Sequence, residues 1–272
     1  METMTQGHNL TLPIYNLQIS YDDVGEGSIP VIFLHGYPFD KSMWQGQLDF
    51  FQTTHRLIAI DIRGFGKSTD EESYLSIDTF GNDLMQFMDK LGITKAIICG
   101  LSMGGYIALN VVKRFPEKFK ALVLCDTQCI ADTPEVKTKR YKTIGSIDVD
   151  GKEEFNEGFI KNVFHKNSMT NKKELVEGLR TVVDANSKHI IKQGLVALAE
   201  RNETCSTLGE IKMPTLILCG REDKVTPLEQ SEFMHEAIKG SVLHVIDDAG
   251  HVSNLEQPEI FNKHLFDFLT GL

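Results

Sequence analysis

The stretch Cys99–Leu109, CGLSMGGYIAL, places Ser102 among Gly100, Gly104 and Gly105, behind the apolar run KAIIC and ahead of the helical pattern GYIALNVVKRF. It matches G-x-S-x-G in a strand–turn–helix context, where the serine occupies a sharp turn that lifts its hydroxyl above the strand end. Such a residue sits in a sparsely populated backbone region at a cost of about 1–3 kcal/mol. Side chains two positions before and after it would collide as strand and helix converge, so glycine is required at 100 and 104. The turn also sets Ser102 at a helix start, whose free N–H groups favour developing negative charge.

Working outward, further β-type runs recur: IPVIFLHG, RLIAID, KALVLCD, PTLILCG and SVLHVID. Each is almost continuously apolar, as expected of strands buried on both faces of a parallel sheet. Residues 79–91, 105–115, 229–239 and 258–269 carry helical spacing between or after them, and strand alternating with helix argues an α/β sheet. TLPIYNLQISYDDVG alternates and predicts an antiparallel edge hairpin. The alternation stops between Ile130 and Cys205, where KEEFNEGFIKNVFH and NKKELVEGLRTVVDANSKHIIKQGLVALAE read as helices. A crossover needs only about a dozen residues. We therefore expect a helical cap over residues 130–205, inserted in a core of residues 1–129 and 206–272.

The chain has 272 residues, is 41% hydrophobic and carries a net charge of −10. That balance argues against nucleic-acid binding, which neutralises phosphates with basic patches. The N-terminus METMTQGHNL lacks the basic and apolar regions of a signal peptide, and no apolar run approaches membrane-spanning length. Of the five cysteines, Cys99, Cys125 and Cys219 lie in or beside apolar runs. The expectation for all five is small hydrophobes in a reducing cytoplasm. RGFGKST, residues 63–69, resembles the end of a P-loop. However, Asp61 stands where the first glycine is needed, and Asp70, Glu71 and Glu72 oppose phosphate. No HExxH or Cys/His cluster suggests a metal, and no cofactor is expected.

A serine hydroxyl needs a base. GREDKVTP follows one strand run and DDAGHVSNLEQPE another. Asp223 and His251 thus join Ser102 at strand ends, where α/β sheets place their sites. Asp126, ending KALVLCD, and Glu222 are the competing acids, while His244 lies inside a strand pattern and reads as structural. The N–H of Met103 is one donor for an oxyanion. The second is the N–H of Tyr37 in PVIFLHGYPFD, where His35 reads as a packing and loop-shaping residue.

HGYPFDKSMW, DIRGFGKS, GLSMGGY, GREDKVTP and DAGHVSNLEQPE together resemble the ordered signature segments of the α/β-hydrolase superfamily, from about Pro30 to the C-terminus. The serine-nucleophile lineage with GLSMGGY is similar to 3-oxoadipate enol-lactonases and carboxylesterases. Epoxide hydrolases and haloalkane dehalogenases share His-Gly-x-Pro but carry aspartate where this chain has Ser102. The resemblance implies the α/β-hydrolase fold, a mostly parallel sheet flanked by helices, and hydrolysis of a small-molecule ester or lactone by Ser102, His251 and Asp223. The alternatives are C–C bond hydrolysis or peroxyacid formation on the same triad, or a non-catalytic ligand-binding member. Phe39, Val225 and Val252 flank motif residues as candidate pocket lining. Lys137, Lys139, Arg140 and Lys142 either receive a substrate carboxylate or form a solvated face.

Overall fold

In the computed structural model, which describes residues 6–70 and 74–272, the apolar runs form one eight-stranded sheet of order β1-β2-β4-β3-β5-β6-β7-β8. Glu71, Glu72 and residues 1–5 lie outside the described residues. The strands are β1 (Gly7–Ile14), β2 (Leu17–Val24), β3 (Val31–Leu34), β4 (Leu57–Ile60), β5 (Ala96–Leu101), β6 (Phe119–Cys125), β7 (Thr215–Gly220) and β8 (Val242–Ile246). The expected hairpin is present: β1 and β2 are antiparallel, and β2 joins β4 antiparallel. Every pairing from β4 through β8 is parallel.

Two-residue periodicity divides the strand side chains between two cores. Ile32, Leu34, Ile58, Ile60, Ile98, Leu122, Leu124 and Ile217 face one cluster. It is covered by α2 (Ile77–Lys90), α3 (Met103–Arg114) and α8 (Lys188–Ala199). Val31, Phe33, Leu57, Ala59, Cys99, Val123, Cys125 and Leu218 face the other cluster. That cluster takes in side chains of α1 (Gln45–Phe51), α5 (Glu153–Val163), α7 (Lys173–Ala185) and α11 (Pro258–Thr270). Burial on both faces explains why these strands read as unbroken apolar runs. The edge strand β8 is the exception, with Val242 exposed.

Between β6 and β7 the chain is helical: α4 (Pro134–Asp150), α5, α6 (Lys166–Asn171), α7 and α8. The last two helices are α9 (Leu228–Ala237), before β8, and the short α10 (Ser253–Glu256), before α11. RGFGKST builds no phosphate loop. Instead the buried Asp61 carboxylate accepts the N–H of Lys41 at 2.8 Å and of Lys67 at 3.0 Å, with Lys41 Nζ also at 3.0 Å. Arg63 pairs with Asp83 through Nε and Nη2 at 2.7 and 2.6 Å.

The cysteine expectation needs correction. Cys99, Cys125 and Cys219 are buried free thiols. Cys129 and Cys205, however, form a disulfide that joins the two ends of the helical segment. No local pattern betrays it, because the partners are 76 residues apart and meet only after the segment folds back.

Denatured, unreduced protein is therefore expected to titrate with three thiols, not five. Reduction, or Cys205→Ser, should cost about 2–4 kcal/mol and lower Tm by roughly 5–15 °C. Five reactive thiols and an unchanged melting curve would contradict the bridge.

Candidate active site

The ends of five neighbouring strands meet at one rim. β5 runs straight into Ser102, which is the N-cap of α3 and has φ 53° and ψ −115°. This is the strained backbone expected of the turn. A Cβ at Gly100 would lie 2.2 Å from the Gly104 carbonyl oxygen, and one at Gly104 would lie 2.2 Å from that of Leu34. Both glycines are thus demanded by backbone contact. Ser102 N–H donates to Cys125 O at 3.0 Å. The Ser102 carbonyl accepts the N–H of Gly105 at 2.9 Å and the Thr127 hydroxyl at 2.8 Å.

Asp223 follows β7 and His251 follows β8. His251 Nε2 lies 2.8 Å from Ser102 Oγ, and Nδ1 lies 2.8 Å from Asp223 Oδ2. Because a carboxylate only accepts, Nδ1 carries the proton and Nε2 is free to accept from the serine. Asp223 Oδ1 also accepts the N–H of Val225 at 2.8 Å and of Thr226 at 3.0 Å, and Oδ2 accepts the Thr226 hydroxyl at 2.7 Å. Val225, expected to line a pocket, thus serves the acid through its backbone.

The electrostatics fit the pairing. Burial disfavours charge on both partners. For His251 the adjacent Asp223 charge and hydrogen bond outweigh it and raise the pKa above 6.5. For Asp223 the His251 charge and the Thr226 hydrogen bonds outweigh it and hold the pKa below 3.8. The pair is almost wholly enclosed, and Ser102 is 7% exposed.

Neither competing acid takes the Asp223 place. Glu222 is adjacent but is not bonded to the imidazole. Asp126 ends β6, fully buried and with φ 44°. It accepts Gly220 N–H at 2.7 Å, Ser253 N–H at 3.1 Å and the Ser253 hydroxyl at 2.6 Å. Burial and the Asp223 charge push it up to about 7. Asp126 therefore holds its proton to higher pH in the native state than in the unfolded chain. Its contribution to stability is fully present below the ordinary value of 3.8 and is lost as pH rises through about 7.

The loop after β3 abuts Ser102. A Cβ at Gly36 would lie 3.1 Å from Ser102 Cβ. The turn closes by Phe39 N–H to Gly36 O at 2.9 Å, across a cis Tyr37–Pro38 bond. His35 shapes this loop as expected: it is fully buried, accepts Ile62 N–H at 2.9 Å through Nε2 and contacts Gly36 O through Nδ1. Met103 is the first residue of α3, so its N–H has no acceptor within the helix. Phe39 and Val252 are both fully buried in the second core cluster, and Phe39 packs on Phe159 with ring centroids 5.7 Å apart.

The helical segment touches both sides of the site, and no motif announces this. Asn186 Nδ2 donates to Pro38 O at 2.7 Å, and Tyr37 Oη donates to Ile191 O at 2.9 Å. His251 N–H donates to Val163 O at 2.7 Å. Buried Glu256 accepts Gly250 N–H and His165 N–H, at 2.6 and 2.8 Å. Of the basic residues of α4, Lys137 pairs with Glu200 at 3.4 Å and Arg140 with Asp132 at 2.5 Å. Lys139 and Lys142 are exposed, so the four form an ion-paired and solvated face. His244, on β8, stacks on His264 with centroids 3.8 Å apart.

Among the described residues, Asp126, Cys219 and Asp223 place one ligand atom each within 4.8 Å of one another. A metal would need a thiolate, but burial pushes the Cys219 thiol well up. Both carboxylates are already engaged as described.

A family model described as alpha/beta hydrolase fold matches residues 29–258. 3-Oxoadipate enol-lactonase 2 of Acinetobacter baylyi is 29% identical over 253 residues, 93% of each chain. A 2-hydroxy-6-oxo-6-phenylhexa-2,4-dienoate hydrolase of Comamonas testosteroni is 30% identical, over 92% of this chain and 91% of its own. Among solved structures, a malate-bound thermophilic esterase of Thermogutta terrifontis superposes with a TM-score of 0.90 at 30% identity, over 94% of both chains.

Close packing at the turn gives a contrast measurable by thermal unfolding. Gly104→Ala should destabilise by about 3 kcal/mol or more, because the new methyl meets backbone on β3. Gly178→Ala, on the exposed side of α7 with nothing within 4 Å, should stabilise by about 0.5–1 kcal/mol. Equal effects would mean that the turn is not tightly packed.

Proposed function

The chain belongs to the α/β-hydrolase family, and on that premise we propose that it is a serine hydrolase of small carboxylic esters or lactones, working through an acyl-enzyme. The observation that carries this reading is the unbroken hydrogen-bond line from Ser102 Oγ through His251 to Asp223, 2.8 Å at each step. The likeness to an enol-lactonase and to an esterase supports the choice of substrate class.

In this mechanism His251 Nε2 takes the Ser102 proton as Oγ attacks the carbonyl carbon. Asp223 holds the tautomer and stabilises the imidazolium. The carbonyl oxygen becomes an oxyanion facing the N–H groups of Met103 and Tyr37. Each such donor is typically worth about 10²–10³ in turnover. Collapse of the tetrahedral adduct expels the alcohol, which receives the proton from His251. Water then repeats the sequence and releases the acid. Each proton and each developing charge has a group of this chain to receive it. Residues 130–205 act as a cap over the core of residues 1–129 and 206–272, and Phe39, Val225 and Val252 lie beside the acyl site.

The dienoate hydrolase at 30% identity favours one second reading, C–C bond hydrolysis on the same triad. A panel of short-chain aryl esters, lactones and ring-cleavage diketones, with and without a terminal carboxylate, separates the two. Esters or lactones should be turned over fastest, and preference for the diketones would establish the second reading. Ser102→Ala should lose at least about 10³-fold in kcat. Retained ester turnover would remove Ser102 as nucleophile, and tight binding without turnover in the wild type would indicate a ligand-binding protein.

The base must be neutral to act. Since the His251 pKa lies above 6.5, kcat/KM should fall as pH drops through an inflection above that value. A profile flat from pH 5 to 8, with chemistry rate-limiting, would exclude His251 as base.

A further inference from the structure

The tripeptide Cys125–Thr127 is bonded to Ser102 and to the loops that carry Asp223 and His251. Cys125 O accepts Ser102 N–H, and Thr127 Oγ1 donates to Ser102 O. Between them, Asp126 N–H donates to Leu218 O at 2.9 Å, locking the residue to β7. Its two carboxylate oxygens divide their partners. Oδ1 takes Gly220 N–H, three residues before Asp223. Oδ2 takes the N–H and hydroxyl of Ser253, two residues after His251. A fully buried acid with all its bonds aimed at these two loops is more than a strand terminator.

We propose that Asp126 is a positioning residue, whose carboxyl group ties the Asp223 loop to the His251 loop and, when ionised, adds a second negative charge behind the imidazole. The role rests on the triad reading above. The carboxylate does not touch the reacting atoms; it acts through Gly220 and Ser253.

The charged and titratable groups around the pair define the expected pH behaviour. Asp223 and His251 face Asp126 from the loops after β7 and β8, and the Cys125 and Cys219 thiols face it from β6 and β7. Glu256 faces the imidazole from α10. Asp126, Asp223 and Glu256 all favour the imidazolium. Removing the Asp126 charge should therefore lower the His251 pKa.

The test compares Asp126→Asn with the wild type by pH-resolved kinetics on a short-chain aryl ester and by thermal unfolding. The isosteric amide can present only one oxygen, so its NH2 faces either Gly220 N–H or the Ser253 donors. We expect kcat to fall by about 10–100-fold, KM to stay within about twofold, and the acid limb of kcat/KM to move to lower pH. A purely structural acid would lower Tm and leave the limb in place. An unmoved or upward-moved limb, or kcat within about twofold, overturns the proposal.

Ser253→Ala removes one donor while leaving the carboxylate, and it decides the matter should Asp126→Asn fail to fold. Losing that hydrogen bond makes Asp126 harder to ionise, so the limb should again move to lower pH; a limb that stays in place counts against the role. Ser102→Ala run alongside separates the two levels. If Ser102→Ala is active, the triad reading fails. If it is inactive while Asp126→Asn matches wild type, only the positioning role fails. An active Asp223→Asn with an inactive Asp126→Asn would make Asp126 the acid itself and overturn the role as stated.

Discussion

How closely helix α3 can begin behind strand β5 governs the rest of the site. The chain must reverse within a residue, and Ser102 takes a positive φ to do it. Backbone then approaches backbone on two sides: the α3 start against the end of β5, and against Leu34 on β3. Only hydrogen fits at positions 100 and 104. The strain is held by bonds from outside the turn, through Cys125 O and Thr127 Oγ1. β6 thereby braces a turn built by its neighbour.

The parallel sheet spaces the chemical groups. Strands lie about 4.8 Å apart, so the ends of β5 and β8 are separated by roughly 14 Å. Yet His251, which follows β8, hydrogen-bonds to Ser102, which follows β5. The loop after β8 must run back across two strand ends, and such a span needs anchors. Asp126 meets it at Ser253, Glu256 at Gly250, and Val163 at the His251 N–H itself. Asp223, just after the intervening β7, reaches the imidazole from that strand's end, and Thr226 is folded back to hold it. The enclosure this creates also couples the titrations. Three buried acids surround one imidazole, which becomes easier to protonate despite its burial.

What could be read from the sequence follows the range of the interactions. Strands buried on both faces leave unbroken apolar runs, so the parallel sheet was legible. The hairpin's alternation announced β1 and β2. Ser102, Asp223 and His251 were legible because each follows a strand and turn chemistry surrounds them. Thr226 was not singled out, although a threonine three residues after an aspartate is a local hydrogen-bonding pattern that could have marked it. Asp126 was visible as a strand-end acid, but its partners at 220 and 253 depend on strand order. The Cys129–Cys205 bridge and the contacts from Val163, Asn186 and Ile191 were invisible for the same reason. They join stretches whose proximity is decided only after the helical segment folds back.

One of those contacts has a consequence for how such a fold can diversify. The carbonyl of Val163, at the end of a helix distant in sequence from the sheet's own loops, receives the amide of His251, while Asn186 and Ile191 hold the turn at Tyr37 and Pro38. The helical segment between β6 and β7 is thus stitched to the candidate site at two corners. A different segment grafted between β6 and β7 would have to supply both contacts again, so a change in this segment reaches the strand-end rim as well as the surface.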